Sequence, residues 1–371
     1  MPVRIATFNV ENLTQRFVFS APKVIHSRAG SVRAHLRRLE ASQLKSYTLD
    51  TMQLTARAIT DTGADIVCLQ EVDSLETLKA FEWNFLSDIP GGRYSQIHLI
   101  EGNDGRGIDV ALIARKRTAD GKAIEISGVK SHAEFTYYQL GLARNSPLAI
   151  ALEELDLLPN ERVFRRDCLE VNLLIGGQNL TLFVVHLKSM GAYSNDLNGR
   201  LYTMPVRLAE SLAIRQIIEQ KFQREVAQQN WLVCGDLNDY QSRLAIGTEI
   251  SGVRDFSLSE EKTCGFDPLI EQGFSQNLVA GRPVDNQWTL YYSREPSEAA
   301  DVRHLVQLDY ILASPFLAEV NKRAIPDIIR NGQPFRTIFP PGQEVERYAR
   351  TGWNMPKASD HCPVAVTLEM I

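Results

Sequence analysis

The chain has 371 residues, of which 44% are apolar and 23% charged, and this composition is typical of a folded globular protein. Its formal net charge of −5 argues against a protein that coats DNA non-specifically, but leaves room for a nuclease whose metal ions neutralise phosphate. No stretch approaches the roughly 18 apolar residues that a membrane-spanning helix needs.

The cysteines indicate the redox setting of the protein. Five are present, an odd number, and none stands in a CxxC spacing. Cys68 and Cys234 fall inside apolar, strand-like runs, where cysteine behaves as a small hydrophobic residue. We therefore expect reduced thiols, no thiolate zinc site and a cytoplasmic location. A signal peptide removed from a longer precursor stays an open alternative.

The first part of the chain alternates between strand and helix patterns. Residues 4–10 predict a strand whose end carries Asn9 and Glu11. Residues 14–50 hold seven basic and two acidic residues, which indicates either a solvated insertion or a segment that contacts phosphate. The apolar spacing over 47–62 predicts a helix that ends at Gly63.

Four further strands are predicted before residue 190. Residues 65–73 form an apolar run that ends in Gln, Glu and Asp, with Glu71 among them. Another run covers 107–115 and carries Asp109 near its start. Residues 169–175 and 180–188 read as a hairpin around a Gly-Gly turn, with His186 near the end of its second strand.

The second half of the chain centres on the run Trp231-Leu232-Val233-Cys234-Gly235. It follows an amphipathic helix predicted over 205–222 and runs into Asp236 and Asn238. A buried strand that stops at such residues either delivers oxygen atoms to a sheet edge or ends in an ordinary Asx turn. Beyond it, 305–313 predicts a strand with a central Asp309, and Asp360 and His361 precede a final strand.

We expect a single domain over 1–371, because the sequence shows no internal repeat, low-complexity tract or linker. Its insertions would lie at about 14–50, 240–300 and 320–358. The second of these is polar with weak periodicity, and the third, rich in Pro, Gly and Arg, is predicted to be loop. The strand–helix–strand order predicts a layered α/β fold.

Polar side chains stand at the ends of most predicted strands, and each has a structural explanation when taken alone. An isolated Asp309 would bond to neighbouring backbone, and an isolated His186 would more often be a half-buried structural residue. Seven such segments together are harder to explain, because each would bury a polar group that needs a partner. Carboxylates and amides with two histidines suit Mg²⁺ or Mn²⁺, a phosphate substrate and a histidine that activates water.

An ordered set of short motifs carries a specific resemblance. The stretches are Phe8-Asn9-Val10-Glu11, Leu69-Gln70-Glu71, Gly107-Ile108-Asp109-Val110, His186-Leu187-Lys188-Ser189, Gly235-Asp236-Leu237-Asn238, Leu308-Asp309-Tyr310 and Ser359-Asp360-His361. In this order the chain resembles the endonuclease/exonuclease/phosphatase (DNase I-like) superfamily, in the style of its bacterial members. The resemblance implies a four-layer αββα sandwich of two packed mixed β-sheets, with the site at one edge.

The resemblance also implies roles for individual residues. The expected metal ligands are Glu71, as the principal one, with Asn9, Glu11 and Asp360. The expected catalytic residues are His361 as general base, Asp309 as its orienting partner, Asp236 and Asn238 beside the nucleophile, and His186 at the phosphate or leaving oxygen with Asp109 as its partner. Lys188 and Arg106 are weaker candidates for contact with the substrate phosphate.

The expected activity is hydrolysis of a phosphoester with one or two Mg²⁺ or Mn²⁺ ions. Our leading hypothesis is a phosphodiesterase that cleaves nucleic acid. The alternative is a phosphatase or phosphodiesterase acting on a small phosphorylated metabolite, an inositol phosphate or a phospholipid head group. A non-catalytic binding module is disfavoured because Glu71, Asp236 and His361 are all present. Endo or exo cleavage and the oligomeric state stay open.

Overall fold

The computed structural model describes residues 1–13, 49–191, 198–250, 253–293 and 303–371. The basic stretch expected over 14–50 therefore lies outside the described residues, apart from its last two positions. The strands are β1 (Pro2–Leu13), β2 (Ile66–Val72), β3 (Gln96–Leu99), β4 (Asp109–Ala114), β5 (Ile124–Ser131), β6 (Cys168–Ile175), β7 (Gln178–His186), β8 (Trp231–Asp236), β9 (Ser242–Ile250), β10 (Val253–Glu260), β11 (Gln276–Asn277), β12 (Leu290–Ser293), β13 (Arg303–Val306), β14 (Asp309–Ala313), β15 (Asp327–Ile328) and β16 (Val364–Glu369).

Seven α-helices occur in the described part of the chain, with one π-helical turn and several short 3₁₀ turns. The α-helices are α1 (Leu49–Asp61), α2 (Leu75–Phe81), α3 (Tyr137–Leu140), α4 (Pro147–Glu153), α5 (Gly199–Phe222), α6 (Asp267–Ile270) and α7 (Pro315–Val320). The π-helical turn is Glu82–Leu86, and the 3₁₀ turns are Gln223–Gln228, Glu271–Gly273, Leu278–Gly281 and Val284–Asn286. No described helix is long and apolar enough to cross a membrane.

Two six-stranded mixed sheets form the centre of the molecule. Their strand orders are β15-β16-β1-β2-β4-β3 and β11-β14-β8-β7-β6-β5. Each sheet contains one parallel pair, β1 with β2 and β7 with β8, and its other described pairs are antiparallel. Because parallel strands finish at the same edge, the carboxyl ends of these pairs bring their last side chains together.

The two sheets pack face to face through a continuous apolar core. Ile5 and Cys68 of the first sheet belong to the same buried cluster as Val184 and Cys234 of the second. The outer face of the first sheet packs against α1, and that of the second against α5. Alternation of side chains along each strand supplies apolar groups to both faces, which explains why these strands are apolar throughout. The four-layer αββα sandwich is confirmed.

Helix α5 starts earlier than the sequence indicated. We expected it to begin at Pro205, since proline favours the first turn, but it begins at Gly199 with Asn198 as its N-cap. Its first turns are held by Arg200, whose Nε lies 2.6 Å from Asp239 Oδ1, and by Arg207, whose Nε lies 3.1 Å from Asp239 Oδ2. This buried network stabilises helix on both sides of the proline.

A third sheet of four strands, ordered β10-β9-β13-β12, takes three of its strands (β9, β10 and β12) from the segment that we expected to be polar and weakly periodic over 240–300. The expected single strand over 305–313 is also wrong, because β13 belongs to this third sheet and β14 to the second. The chain changes sheet at Leu308 and Asp309, whose backbone N–H groups both donate to Thr289 Oγ1. The single-domain expectation stays a prediction.

Candidate active site

One edge of the sandwich collects polar side chains from both large sheets. Asn9 lies near the end of β1 and Glu71 near the end of β2, in the first sheet. In the second sheet, Asp236 at the end of β8 stands opposite both His186 of β7 and Asp309 of β14. The strand ends thus bring together residues that are more than 200 positions apart in sequence.

The backbone at this edge adopts conformations that residues other than glycine usually avoid. Glu11, Glu71 and Asn238 have φ angles of 51°, 65° and 51°, in the left-handed region. For residues other than glycine such angles cost of order 1–3 kcal/mol each and tend to occur at functional sites. Gly235 is required by close packing, because a Cβ there would collide with the carbonyl group of Val185 on the neighbouring strand.

His361 and Asp309 form a buried pair. His361 Nδ1 lies 2.8 Å from Asp309 Oδ2, and His361 Nε2 lies 3.8 Å from Asp236 Oδ2. Burial by itself would lower the pKa of His361, but the carboxylates of Asp309 and Asp236 raise it well above its usual value. The imidazole is therefore oriented through Nδ1, and its Nε2 faces the carboxylates of the edge.

Ser359 holds the main chain beneath this histidine. Its hydroxyl donates to the carbonyl oxygen of Asn9 over 2.7 Å and accepts from the backbone N–H of His361 over 3.0 Å. The serine thereby couples the last part of the chain to the first strand. The sequence alone assigns Ser359 no role, although it lies within one of the motifs of the resemblance.

The side-chain amide of Asn9 joins carboxylates from the two sheets. Its Nδ2 donates to Asp236 Oδ2 over 3.0 Å and to Glu71 Oε1 over 3.3 Å. Burial raises the pKa of Asp236 to about 7, which His361 partly opposes. Carboxylates this close favour either a shared proton or a cation between them.

Both alternatives for the end of β8 are correct. Asp236 Oδ1 accepts from the backbone N–H of Asn238 over 2.8 Å, as in an Asx turn. The same turn points Asp236 Oδ2 at Asn9 and lets Asn238 Nδ2 donate to the carbonyl of Leu187 over 3.0 Å. The turn is therefore the means by which the strand end presents its carboxylate.

His186 is enclosed and neutral. Burial, with Arg166 and Arg106 nearby, lowers its pKa well below the usual value. Its Nε2 lies 3.5 Å from Asp236 Oδ2 and 3.9 Å from Glu71 Oε1. Its Nδ1 is buried and makes no hydrogen bond to the described protein.

Asp109 was expected to be the partner of His186. One of its carboxylate oxygens accepts from the backbone N–H of Gly102 over 2.7 Å. The pairing with His186 stays a prediction.

Glu11 and Asp360, two of the expected metal ligands, lie beside a lysine that the sequence did not identify. Lys357 Nζ lies 2.8 Å from Glu11 Oε1, and the backbone N–H of Asp360 donates to Glu11 Oε2 over 3.1 Å. Burial and the charge of Asp360 raise the pKa of Glu11 to about 7 despite the lysine. Lys357 belongs to the segment predicted as loop, where no periodicity signals a buried charge.

Four cationic side chains line a basic cleft of about 850 Å³, and three of them, Arg106, Arg166 and Lys188, lie close enough to His186 to lower its pKa. Arg106 and Arg166 share the carboxylate of Asp104, whereas Arg165 and Lys188 have no carboxylate partner within ion-pair distance in the described chain. Burial and the neighbouring Arg166 lower the pKa of Lys188 to about 8. Lys188 and Arg106 were expected near a phosphate, and the two further arginines were missed.

Glu210, on α5, fixes one wall of this basic cleft. Its carboxylate is fully buried and accepts from the backbone N–H groups of Arg165 and Lys188 over 2.9 Å and 2.7 Å. The two cationic residues are therefore held by their main chains.

Comparison with known proteins identifies the family. A model of the Endonuclease/Exonuclease/phosphatase family matches residues 6–361 of the chain. The chain belongs to this family. Members of the Endonuclease/Exonuclease/phosphatase family are generally hydrolases that act on phosphoesters, and they commonly use divalent metals. No curated protein sequence matched the chain.

Several solved structures are similar to the chain over nearly its whole length. A beta toxin from Staphylococcus aureus is 12% identical, with a TM-score of 0.51 over 98% of this chain and 99% of its own. An endonuclease/exonuclease/phosphatase family protein from Leptotrichia buccalis is 15% identical, with a TM-score of 0.46 over 99% and 100%. An AP endonuclease from Archaeoglobus fulgidus is 13% identical, with a TM-score of 0.43 over 99% and 100%. At these identities the beta toxin match shows a shared fold.

The oxygen atoms at the edge suit the divalent metals of the family. Within the described ranges, no group of three or more His, Cys, Asp or Glu side chains is arranged to hold a metal ion unaided. Mg²⁺, however, is often held by one or two carboxylates, with water and phosphate oxygens completing its shell. Glu71 and Asp236 are two such carboxylates, and they lie close together because both accept a hydrogen bond from Asn9 Nδ2. Burial raises the pKa of Asp236, and a cation would stabilise its charged form. The residues therefore fit such an ion.

Proposed function

We propose that this chain is a divalent-metal-dependent phosphodiesterase that cleaves nucleic acid by attack of water on phosphorus. The observation that supports the proposal most directly is the geometry of His361. Asp309 holds its Nδ1 at 2.8 Å, while its Nε2 faces the Asp236 carboxylate 3.8 Å away. This is the arrangement that a general base needs in order to take a proton from water.

Each side chain at the edge has a chemical role in this proposal. His361 accepts the proton of the attacking water at Nε2, and Asp309 stabilises the imidazolium that forms. Asp236 and Asn238 orient the water. His186, neutral because its pKa is lowered, donates a hydrogen bond to a phosphate oxygen more readily than it carries a proton to the leaving group.

Glu71 would be the principal ligand of Mg²⁺ or Mn²⁺, next to Asn9 and Asp236. When bound, the ion neutralises charge on the phosphate and on the leaving oxygen. Without it, the clustered carboxylates would repel an anionic substrate. We therefore expect activity to depend on added metal and to disappear with a chelator.

The basic cleft supports nucleic acid as the substrate. It begins beside His186 and offers Arg106, Arg165, Arg166 and Lys188, so a strand held at the catalytic edge would place a neighbouring phosphate among them. A volume of about 850 Å³ also lies within the range of small-molecule pockets. A small phosphorylated substrate is therefore the second candidate.

Assays against a panel of substrates distinguish nucleic acid from a small phosphorylated molecule as the substrate. Purified protein is assayed with Mg²⁺ or Mn²⁺ against plasmid DNA, single-stranded DNA, RNA, bis-p-nitrophenyl phosphate and p-nitrophenyl phosphate. We expect hydrolysis of nucleic acid and of the diester. Turnover of the monoester alone would contradict the phosphodiesterase proposal, and a diesterase that leaves every nucleic acid intact would favour the small-molecule candidate.

Two substitutions test the assigned chemistry. His361→Ala and Asp236→Ala should each lower turnover at least about a hundredfold, as expected for a general base and an electrostatic contributor. His98→Ala, on the edge strand β3, is the matched control and should retain near-normal activity. Near-normal turnover in either of the first two variants would show that its assigned role is wrong.

A further inference from the structure

A buried ammonium group lies among the carboxylates of the catalytic edge. The side chain of Lys357 is 6% exposed, and its Nζ is 2.8 Å from Glu11 Oε1. Removing an ammonium ion from water costs several kcal/mol, so it stays buried only where nearby carboxylates compensate for the lost hydration. The position of Lys357 is therefore tied to the carboxylates that surround it.

Glu11 has little capacity left for another cation. Its Oε1 faces Lys357, and its Oε2 accepts from the backbone N–H of Asp360 over 3.1 Å. Its backbone is held as well, since the N–H of Glu11 donates to Asn9 Oδ1 over 3.0 Å. A divalent ion at Glu11 would have to displace the lysine or approach to within a few ångströms of its positive charge, which costs energy at any plausible dielectric.

Glu71 and Asp236 have a different environment. Among the described residues, no lysine or arginine lies within ion-pair distance of either carboxylate, and the titratable nitrogens within that distance are those of His186 and His361. Arg106, whose pKa the charge of Glu71 helps to raise, is bonded to Asp104 through two nitrogens. One half of the edge thus carries its own cation, and the other half does not.

We propose that Lys357 is a built-in cation that takes the place of a second divalent ion, so that the edge binds a single ion on the side of Glu71 and Asp236. The proposal rests on the metal dependence proposed above and is independent of the identity of the substrate. It excludes Glu11 and Asp360, two of the residues expected from the resemblance, from the set that ligates the ion. A hydrolase of this kind would combine one exchangeable charge with one fixed charge.

Binding of Mn²⁺ to the full chain, measured by calorimetry without substrate, tests the proposal. The unaltered protein should bind one ion. Lys357→Met, which keeps the length of the side chain but removes its charge, should bind two. The double variant Lys357→Met with Glu11→Gln, which removes one charge of each sign, should return to one.

A second measurement does not require the lysine variant to fold. Glu11→Gln should leave the Mn²⁺ dissociation constant within about twofold, whereas Glu71→Gln should weaken it at least about tenfold. Two ions on the unaltered protein, one ion on a folded Lys357→Met variant, or a large loss of affinity in Glu11→Gln would each overturn the proposal. Absence of any Mn²⁺ binding would instead refute the metal dependence itself.

Discussion

The pair formed by His361 and Asp309 supports a prediction with a defined magnitude. Asp309→Asn keeps the size of the side chain and removes the charge that faces His361 Nδ1 at 2.8 Å in a fully buried position. A hydrogen bond to a charged group contributes about 1.5–3 kcal/mol, which corresponds to roughly 10- to 150-fold in a rate constant. We expect kcat/KM to fall by a factor in this range.

The same substitution should shift the pH dependence in a known direction. As a general base, His361 acts only after losing its proton, so kcat/KM rises with pH through the pKa of this residue. Asp309 and Asp236 raise that pKa, and the rising limb should therefore lie above the value of an unperturbed histidine. Without the charge of Asp309 the imidazolium is less stable, and the limb should move to lower pH while the plateau falls.

The assay is hydrolysis of bis-p-nitrophenyl phosphate at saturating Mn²⁺, from about pH 5 to about pH 9. Asp327→Asn serves as the control, because this exposed aspartate lies on the edge strand β15, where it pairs with Arg4. Equal thermal unfolding of both variants would confirm that the fold is retained. If the rising part of the kcat/KM–pH profile stays in place in Asp309→Asn, or moves to higher pH, the assignment of His361 as the base held by Asp309 is refuted.

Three further predictions concern stability and substrate contact. Gly235→Ala should destabilise the protein by about 2 kcal/mol or more in urea unfolding, because the new Cβ collides with Val185; a loss within experimental error would contradict this close packing. Burial alone would raise the pKa of Glu170, but hydrogen bonds from His132, Lys221 and Asn172 lower it to about 2. Glu170→Gln should therefore reduce the free energy of unfolding by up to about 3 kcal/mol near neutral pH. That cost should shrink as the pH falls from about 4.5 towards 2, and a pH-independent cost would rule out the ionic origin. Replacing Arg106 and Arg165 together with Ala should reduce the salt dependence of single-stranded DNA binding by roughly one to two in the log–log slope, with exposed Arg117→Ala as control; an unchanged slope would remove the cleft from the substrate path.

The elements buried on both faces were predictable from sequence. The apolar runs of β1, β2, β4 and β8 have the lengths and turn residues of strands, and the ends of these strands carry the residues of the edge. Strands that are half exposed gave no such signal, as in β3 and the third sheet. The change of sheet before Asp309 was not predicted because Leu305 to Ala313 is apolar apart from Gln307 and Asp309, and the sequence does not indicate the bonds to Thr289 at the point where the chain changes sheet.

The site shows the same division. Four site residues lie at or near strand ends: Glu71, Asp236, Asp309 and His361. Their positions along the chain therefore predicted that they would meet at one edge of the sheets. Lys357 lies in irregular structure, where local sequence does not indicate which residue will be buried. Glu210 could have been identified from the sequence. It places a charge on the apolar face of a predicted helix, and a buried charge needs hydrogen-bond partners. Its partners, two backbone N–H groups, could not be inferred without the fold.

The bond between the hydroxyl of Ser359 and the carbonyl of Asn9 joins positions separated by 350 residues. A ribosome therefore releases the first strand long before the segment that carries the base has been made, and β1 gains β16 as a neighbour only after residues 364–369 have been added. Prematurely terminated chains lack both the serine and His361. Under the function proposed here, such fragments would be inert, so that hydrolytic capability appears only once residue 361 has been added and Ser359 has bonded to Asn9.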